Sequence, residues 1–402
     1  MSFTNTQARY GTLSKILHWA TVLLIFTLIP LGIMADDAPF ATDNELTRKA
    51  YLFSLHKTLG ITLFFLAVLR ILWALVQPKP GSLNPDNKPE HFMAEMVHWL
   101  LYGSLIIVPL TGWITHAASQ GFAPIWWPFG QSLPFIPKSV GLSETASTLH
   151  MIFERVLVVS ILLHFAGALK HHVIDRDATL RRMWFGRPDL PQVAPHHPSF
   201  APLAGALVIW IAALGLGAGL GFFAPDHNHD HDHAQAPVLE AVSSEWQVET
   251  GSIALSITQF GSQVDGSFAE WTSVISFDPN ATGILGHVET EIAIASLTLG
   301  SVTGQSMGTD YFDAAQFPTA TFTAEITATE TDYVATGTLT LKGTTIPITL
   351  PFTLEISNDG ADDIAMMTGA TQVNRTDFGI GASGEDNLAH VVDIAISLTA
   401  RR

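Results

Sequence analysis

The chain has 402 residues, contains no cysteine and is apolar, with 48% of its residues hydrophobic. Its charge is unevenly divided: residues 1–225 carry 15 Lys or Arg against 12 Asp or Glu, whereas residues 237–402 carry 4 against 21. The acidic second part argues against a nucleic-acid partner and against attraction to anionic lipid. The lack of cysteine excludes disulfides, c-type haem attachment and thiolate-bound iron–sulfur clusters.

The first half of the chain is predicted to be a bundle of membrane-spanning helices, because five apolar stretches are each long enough to cross a bilayer. The first stretch lacks a small-residue cleavage site, so we interpret it as a retained helix and not as a signal peptide. The fifth has no histidine or charge and has glycines at small-xxx-small spacing, which is typical of a tether with a packing face. The stretches run at about residues 14–34, 51–76, 93–116, 147–171 and 202–223.

Basic residues are distributed asymmetrically between the two sides of this bundle. Because Lys and Arg favour the cytoplasmic side of a membrane, the N-terminus is predicted to be cytoplasmic. Five crossings then place the chain after about residue 224 in the periplasm, and the predicted location is the inner membrane of a bacterium. The side taken as cytoplasmic carries Arg9, Lys15, Lys79, Lys88, Arg176, Arg181, Arg182 and Arg187, and the opposite side only Arg48, Lys49 and Lys138.

Four histidines lie at corresponding places in the apolar stretches. His18 and His56 begin the first and second stretches, and His150 and His164 lie on the fourth. The last two are separated by about 21 Å of helical rise and almost four turns, so they share one face at two depths. Imidazole inside hydrocarbon is costly unless it has a use, and a b-type haem uses two imidazoles, one on each side of its iron. The pattern predicts two stacked b haems.

Depth predicts how these histidines pair as iron ligands. His56 and His150 both begin helices that enter from the periplasmic side, so they are expected to hold the haem on that side. His18 begins a helix that enters from the cytoplasm, and His164 lies far along the fourth helix. They are expected to hold the haem on the cytoplasmic side.

His171 is an alternative to His164, because seven residues are close to two helical turns and keep both on one face. From His150 to His171, however, the helix rises by about 31 Å, which places His171 at the edge of the bilayer. We therefore favour His164 as the ligand. His171 and His172 are interpreted as interfacial residues or as part of a proton path to a quinone.

Other polar residues of the apolar stretches have open roles. His98 begins the third helix and is a candidate contact for a quinone or a haem propionate, or else an interface anchor. Arg70 and Arg155 lie inside apolar helices, where charges usually have partners. Haem propionates or acidic neighbours are the candidate partners.

The second half of the chain begins with a polar run and continues as strands. Residues 226–233, DHNHDHDH, could bind Zn, Cu or Ni loosely, but one short run offers no preorganised geometry, so a solvated linker is favoured. Beyond it, alternating patterns predict about eight strands in an antiparallel barrel, wide enough for one slim apolar ligand. A side-chain-filled core fits the same sequence. Candidate lining or rim residues are Phe260, Phe268, Trp271, Phe312, Phe317, Phe322 and Phe378.

Residues 8–187 resemble the bacterial cytochrome b561 family of four-helix dihaem membrane proteins, and are also similar to the cytochrome subunits of hydrogenases and formate dehydrogenases. The resemblance implies two b haems, the histidine pairs named above and electron exchange with the quinone pool. One branch of the family, the superoxide oxidases, passes an electron from superoxide to ubiquinone. The segments that carry the resemblance are LSKILHW, LFSLHKTLG, AEMVHWLLYG, LHMIFERVLVVSILLHFAGALKHH and DRDATLRRMWFG.

Residues 244–400 resemble the YceI family of periplasmic proteins, whose lipocalin-like barrel binds long isoprenoid chains. The resemblance implies an isoprenoid lipid, such as a quinone tail, as the ligand of this domain. It is carried by DYFDAAQFPTATF at 310–322, GTLTLKGTTIPITLPF at 337–352 and NRTDFGIG at 374–381.

The sequence thus predicts a multi-domain chain with an all-α transmembrane four-helix haem bundle at 1–190, a fifth transmembrane helix and His/Asp linker at 191–236, and an all-β antiparallel lipocalin-like barrel at 237–402. The expected activity is electron transfer between a periplasmic-side donor and quinone, for example as a superoxide:ubiquinone oxidoreductase. The alternative is an electron-carrier subunit docked to another redox enzyme, with the barrel as a lipid-binding or docking module. The basic residues suited to steer superoxide are Arg48, Lys49, Lys57 and Lys138.

Overall fold

The chain folds into two compact units. The computed structural model describes residues 2–40, 42–81, 83, 87–121, 123–185, 199–224, 237, 239, 243–300, 302–358, 360, 362–381 and 388–402. The first unit comprises Met1–Asp36, Leu52–Ala118 and Ile125–Asp226, and the second comprises Asp37–Tyr51, Ser119–Pro124 and His227–Arg402. The DHNHDHDH run and Arg187 of the sequence analysis lie outside the described residues.

The first unit is helical, and within the described ranges five of its helices are long and apolar enough to cross a membrane. They extend further than the apolar stretches of the sequence, because polar turns at their ends are helical too. Helix α2, for example, begins at Asp43, eight residues before the predicted start. The helices are α1 (Thr12–Asp36), α2 (Asp43–Val76), α3 (Lys88–Ala118), α4 (Val140–Val173), the short α5 (Thr179–Met183) and α6 (Ala201–Gly219).

Helix α6 is a packed member of the first unit and more than a tether, since it contacts both α3 and α4. The indole ring of Trp210 lies directly against Gly103 of α3, where any side chain would collide with it. At the start of α6, Ala206 is fully buried against α3, and Gly217 near its end lies against Ile152 of α4. Small residues thus bring the three helices into close contact, as in other membrane bundles.

The segment around α5 holds the first unit together at the start of α1. The guanidinium of Arg182, which is buried, donates to the backbone carbonyls of Gly81 and Ala8 at 2.9 and 2.8 Å. The ammonium of Lys15, also buried, donates to the carbonyl of Trp184 at 2.7 Å. These bonds join the chain before α1, the chain after α2 and the chain after α4 at one place.

The second unit is a ten-stranded antiparallel sheet in the order β3-β4-β6-β7-β8-β9-β10-β1-β2-β5. The sheet curls, and the edge strand β3 is bonded to the residues just before β1: the backbone N–H of Trp246 donates to the carbonyl of Ile275 at 3.2 Å. The strands are β1 (Gln247–Gln259), β2 (Ser262–Phe268), β3 (Trp271–Phe277), β4 (Ile284–Ala293), β5 (Leu297–Thr298), β6 (Thr319–Ala328), β7 (Tyr333–Leu341), β8 (Thr344–Asn358), β9 (Asp363–Asn374) and β10 (Leu388–Arg401).

One end of the curled sheet is filled by aromatic side chains. Tyr333 stacks on Phe352 with ring centres 5.7 Å apart and meets Phe277 edge-on at 5.6 Å. The buried Trp246 donates its indole N–H to the carbonyl of Phe277, and the guanidinium of Arg402 lies 4.7 Å from its ring centre. Aromatic contacts and a cation–π interaction therefore close this end.

The contact between Gly103 and Trp210 predicts that Gly103→Ala destabilises the first unit, because the new methyl group would collide with the indole ring. Overpacking of this kind costs about 1–3 kcal/mol, so the midpoint of thermal unfolding of the detergent-solubilised protein, followed by tryptophan fluorescence, should fall. Gly60→Ala on α2 is the matched control, since nothing lies within 4 Å of that position. An equal fall in both variants would contradict a packing role for Gly103.

Candidate functional site

The structure brings the four histidines together in two pairs. The rings of His18 on α1 and His164 on α4 have centres 6.3 Å apart. The rings of His56 on α2 and His150 on α4 have centres 6.4 Å apart. Helix α4 therefore contributes one histidine to each pair, and the pairs lie at two levels along it.

Glycines and one carbonyl position the rings of the second pair. Nδ1 of His150 donates to the backbone carbonyl of Val108 at 2.8 Å, which leaves Nε2 of that ring unprotonated and able to bind a metal. A Cβ atom at Gly112 would lie 3.0 Å from Nδ1 of His150, and one at Gly32 would lie 2.9 Å from Cε1 of His56. Two helices can thus approach the imidazoles closely because these positions have no side chain.

The spacing of the rings fits a shared metal ion. A metal–imidazole bond is about 2 Å long and the ring nitrogen lies about 1.1 Å from the ring centre, so two imidazoles on opposite sides of one iron have centres about 6.2 Å apart. Both observed separations match this value. The donor set therefore fits two bis-imidazole haems.

His98 and Arg70 lie beside the first pair. The His98 ring centre is 5.1 Å from that of His164, so three histidines meet at this level. Arg70 donates from Nη2 to Nδ1 of His18 at 3.1 Å, and its guanidinium lies 5.4 Å from the ring centre of Tyr102. The sequence indicated that Arg70 needs a partner, but it could not show that this partner is an imidazole.

His171 is the centre of a charged cluster and not a member of either pair. Its Nδ1 lies 2.8 Å from Asp177 and its Nε2 lies 3.2 Å from Glu90. The ammonium of Lys170 lies 2.7 Å from both Glu90 and Asp175. Burial alone would raise the pKa of Asp177, but hydrogen bonds from Thr179 and His171 hold that pKa below its usual range.

Glu90, His171 and Asp175 have the composition of a small metal site, since their ligand atoms lie within 4.8 Å of one another. Lys170 already bridges the two carboxylates, so an ammonium group supplies the positive charge there. The neighbouring His172 is exposed.

His116, at the other end of the unit, is buried and not at the surface. Its Nε2 donates to the side-chain oxygen of Gln131 at 3.0 Å, and its Nδ1 accepts from the ammonium of Lys57 at 3.3 Å. Lys57 follows His56 directly in the chain. The amino group of Lys57 thus lies next to one of the paired histidines, and His116 joins it to Gln131 by hydrogen bonds.

The second unit encloses an apolar cavity of about 250 Å³. Side chains from strands on every part of the curled sheet line it, as alternation in the sequence predicts for the inner face. Five of the seven predicted aromatic residues lie on its wall, whereas Phe260 and Phe317 do not line it. The five are Phe268, Trp271, Phe312, Phe322 and Phe378.

Gln259 is a polar residue on this wall that the sequence analysis missed. It follows Ile253, Leu255 and Ile257 in the alternation of β1 and, like them, faces the cavity. Its Oε1 is buried and has no hydrogen-bond partner among the described residues. An unpaired buried amide oxygen is costly, and only the break in the apolar alternation at the end of the strand could have indicated it.

Comparison with known proteins finds a matching family model for each half of the chain. Residues 9–186 match the family of prokaryotic cytochrome b561. Cytochrome b561 homolog 2 of Escherichia coli is 32% identical over 184 residues, which are 46% of this chain and 95% of that protein. The probable superoxide oxidase CybB of Yersinia pestis is 26% identical over 176 residues, which are 44% of this chain and 95% of that protein.

Residues 245–400 match the YceI-like domain family. The crystal structure of BcnA from Burkholderia cenocepacia is 29% identical, with a TM-score of 0.33, and the match covers 37% of this chain and 95% of that one. The YceI protein of Campylobacter jejuni is 21% identical, with a TM-score of 0.32, and the match covers 42% of this chain and 95% of that one.

Proposed function

Because the chain belongs to the prokaryotic cytochrome b561 family and continues into a YceI-like domain, we propose that it transfers electrons through two b haems from a periplasmic donor to ubiquinone. The observation that carries this proposal is the two facing histidine pairs, with ring centres 6.3 and 6.4 Å apart. The family implies membrane electron transfer with b-type haem. The proposal further names superoxide as the electron donor and ubiquinone as the electron acceptor.

In this proposal His56 and His150 hold one haem and His18 and His164 hold the other. A bound b haem supplies an iron that gains and loses one electron while it keeps both imidazole ligands. The Val108 carbonyl fixes His150 in the tautomer that presents Nε2 to a metal. The apolar bundle excludes water from the rings, which keeps the imidazoles neutral and able to bind.

Arg70 would need a different partner if His18 held a haem iron. Nδ1 of His18 accepts from Arg70, so the proton of this neutral ring is on Nε2. Binding iron through Nε2 requires the proton on Nδ1 instead. We expect Arg70 to turn to an acidic acceptor, for which a haem propionate is suited, with His98 as a second polar neighbour at this level.

The end that carries His56 and His150 is suited to an anionic donor, and we place it at the periplasm. Lys57 lies beside this pair and is held by His116. Superoxide is an anion, and positive charge near the site of oxidation raises its local concentration. In the net reaction two superoxide anions are oxidised to dioxygen, and one ubiquinone takes up two electrons and two protons to become ubiquinol.

The protons for ubiquinol would come from the opposite end, which we place at the cytoplasm. His171 contacts Glu90 and Asp177, and Lys170 joins Glu90 to Asp175. Contacts between imidazole and carboxylates provide sites between which protons can pass. Glu90 lies on α3, Lys170 and His171 lie at the end of α4, and the two aspartates follow α4 directly. Helices α3 and α4 also carry His98 and His164.

We propose that the barrel holds an isoprenoid chain, such as the tail of a quinone. Burial of each CH₂ group contributes about 0.8 kcal/mol, so an apolar wall binds a long prenyl tail without charge pairing. The amide of Gln259 is available to hydrogen-bond a hydroxyl or carbonyl at the polar end of such a ligand. The barrel would keep the quinone in the same molecule as the haems that act on it.

Haem content tests the ligand assignment. The pyridine haemochrome assay should give two haems per chain for the parent and one for His150→Ala or His164→Ala, because each replacement removes one of the paired imidazoles. His171→Ala is the control on the same helix and should keep both haems, since His171 faces carboxylates. Loss of a haem in His171→Ala with both retained in His164→Ala would reverse the assignment.

Spectroscopy tests the donor and the acceptor. Superoxide should reduce the haems of the purified protein, and ubiquinone should reoxidise them. Both steps are followed by the change in the haem absorbance bands. The rate of reduction by superoxide should fall as salt is added. Salt screens the attraction between superoxide and exposed basic side chains such as Lys138. Rapid reoxidation by ubiquinone without reduction by superoxide would instead favour an electron-carrier subunit that receives electrons from a partner enzyme.

Mass spectrometry of extracted lipid tests the barrel. Ala335→Phe on β7 places a large ring inside the cavity and should abolish co-purification of an isoprenoid with the full-length protein. Thr336→Phe, at the next and exposed position, should retain it. Equal haem content in both variants controls for folding of the first unit. An equal amount of lipid in both would contradict binding in this cavity.

A further inference from the structure

An ion pair lies on the outer face of α4, in the part of the helix that crosses the membrane. Nη1 of Arg155 is 3.0 Å from a carboxylate oxygen of Glu154, and the two side chains are 72% and 22% exposed. Above and below Arg155 on the same face are the exposed apolar residues Met151, Val159 and Leu162. Arg155 lies on the side of α4 opposite to the two paired histidines, whereas Glu154 is one turn after His150 and lies between the two sides.

The pair is close to the middle of the bilayer. Arg155 is 11 residues after Glu144 and 15 residues before Lys170, the charged residues that flank the apolar part of α4. At 1.5 Å per residue both are about 16 Å or more away along the helix, beyond the half-thickness of the hydrocarbon core, about 15 Å. The side chain of Arg155 is therefore too short to reach the headgroups, and lipid tails cannot solvate it.

A charged side chain at such a depth normally faces protein. We propose that this face of α4 binds a second copy of the chain, so that Arg155 of each subunit pairs with Glu154 of the partner subunit. Two copies inserted in the same orientation are related by a two-fold axis along the membrane normal, and residues that meet across this axis lie at the same depth. Glu154 and Arg155 meet this condition, because adjacent residues differ in height by only about 1.5 Å.

Charge complementarity is the reason for choosing a second copy as the occupant. The surface carries one carboxylate and one guanidinium side by side, so it is its own complement under two-fold rotation. Two ion pairs would then share the interface, and the neighbouring Met151, Val159 and Leu162 would pack around them.

Cross-linking between single cysteines tests the proposal directly, because the chain has no cysteine of its own. Val159→Cys lies on the proposed face. Phe65→Cys on α2 is the matched control: it is nine residues after His56, as Val159 is nine residues after His150, and the two positions are similarly exposed, at 52% and 56%. In native membranes, oxidation should join Val159→Cys into a species of about twice 43.5 kDa, at least five-fold more than Phe65→Cys.

Charge variants in the Val159→Cys background test the ion pairs. Arg155→Glu should lower cross-linking at least five-fold, because four carboxylates would then meet at the interface. The exchange Glu154→Arg with Arg155→Glu should restore it to within two-fold of the parent. Unchanged haem content in both variants shows that the bundle is folded.

Three outcomes would overturn the proposal. They are equal cross-linking of Val159→Cys and Phe65→Cys, full cross-linking in the Arg155→Glu variant, and an adduct whose second polypeptide is identified by mass spectrometry as a different protein.

Discussion

The meeting of two imidazole rings inside an apolar bundle is the constraint on which the first unit depends. A histidine there cannot be solvated by water, so its position is set by what its nitrogens bind. Helix α3 supplies both the carbonyl of Val108 that accepts from His150 and the glycine, Gly112, that lets the helices approach. Gly32 does the same for His56 from α1. The close packing of four helices is thus tied to the orientation of two rings, because α3 packs on His150 of α4 and α1 packs on His56 of α2.

Much of this arrangement could be predicted from the sequence, because hydrophobic length and helical rise are simple geometric quantities. The apolar stretches indicated the five long helices, and counting residues indicated two levels of histidine. Helix ends were harder to predict. Residues 43–50 of α2 are mostly polar, so hydropathy does not indicate that they belong to the helix. The packing of α6 depends on Trp210 fitting against Gly103, a contact between residues far apart in sequence, and composition alone suggested only a tether.

The second unit shows a similar limit of prediction from the sequence. Alternation along the strands indicated an inner apolar face. The described residues form ten strands where about eight were expected, since short elements such as β5 at Leu297–Thr298 carry no periodic signal. Alternation also could not distinguish residues that line the cavity from residues that lie in turns. Phe260 lies at a hairpin end with φ of 47°, outside the strands, and does not line the cavity. The unpaired amide of Gln259 became visible only once its neighbours were known.

The two ends of the helical unit differ in the chemistry that they offer. Beside His56 lies Lys57, whose amino group is hydrogen-bonded to His116. Beyond His164 along α4 lie the imidazole of His171 and the carboxylates that contact it. Oxidation of superoxide releases no proton, so a cation that attracts the anion is sufficient at the donor end. Reduction of a quinone consumes one proton for each electron, so groups that bind and release protons are needed at the acceptor end. The direction proposed for electron flow, from the His56 pair to the His164 pair, is the one in which each end carries the groups that its half of the reaction requires.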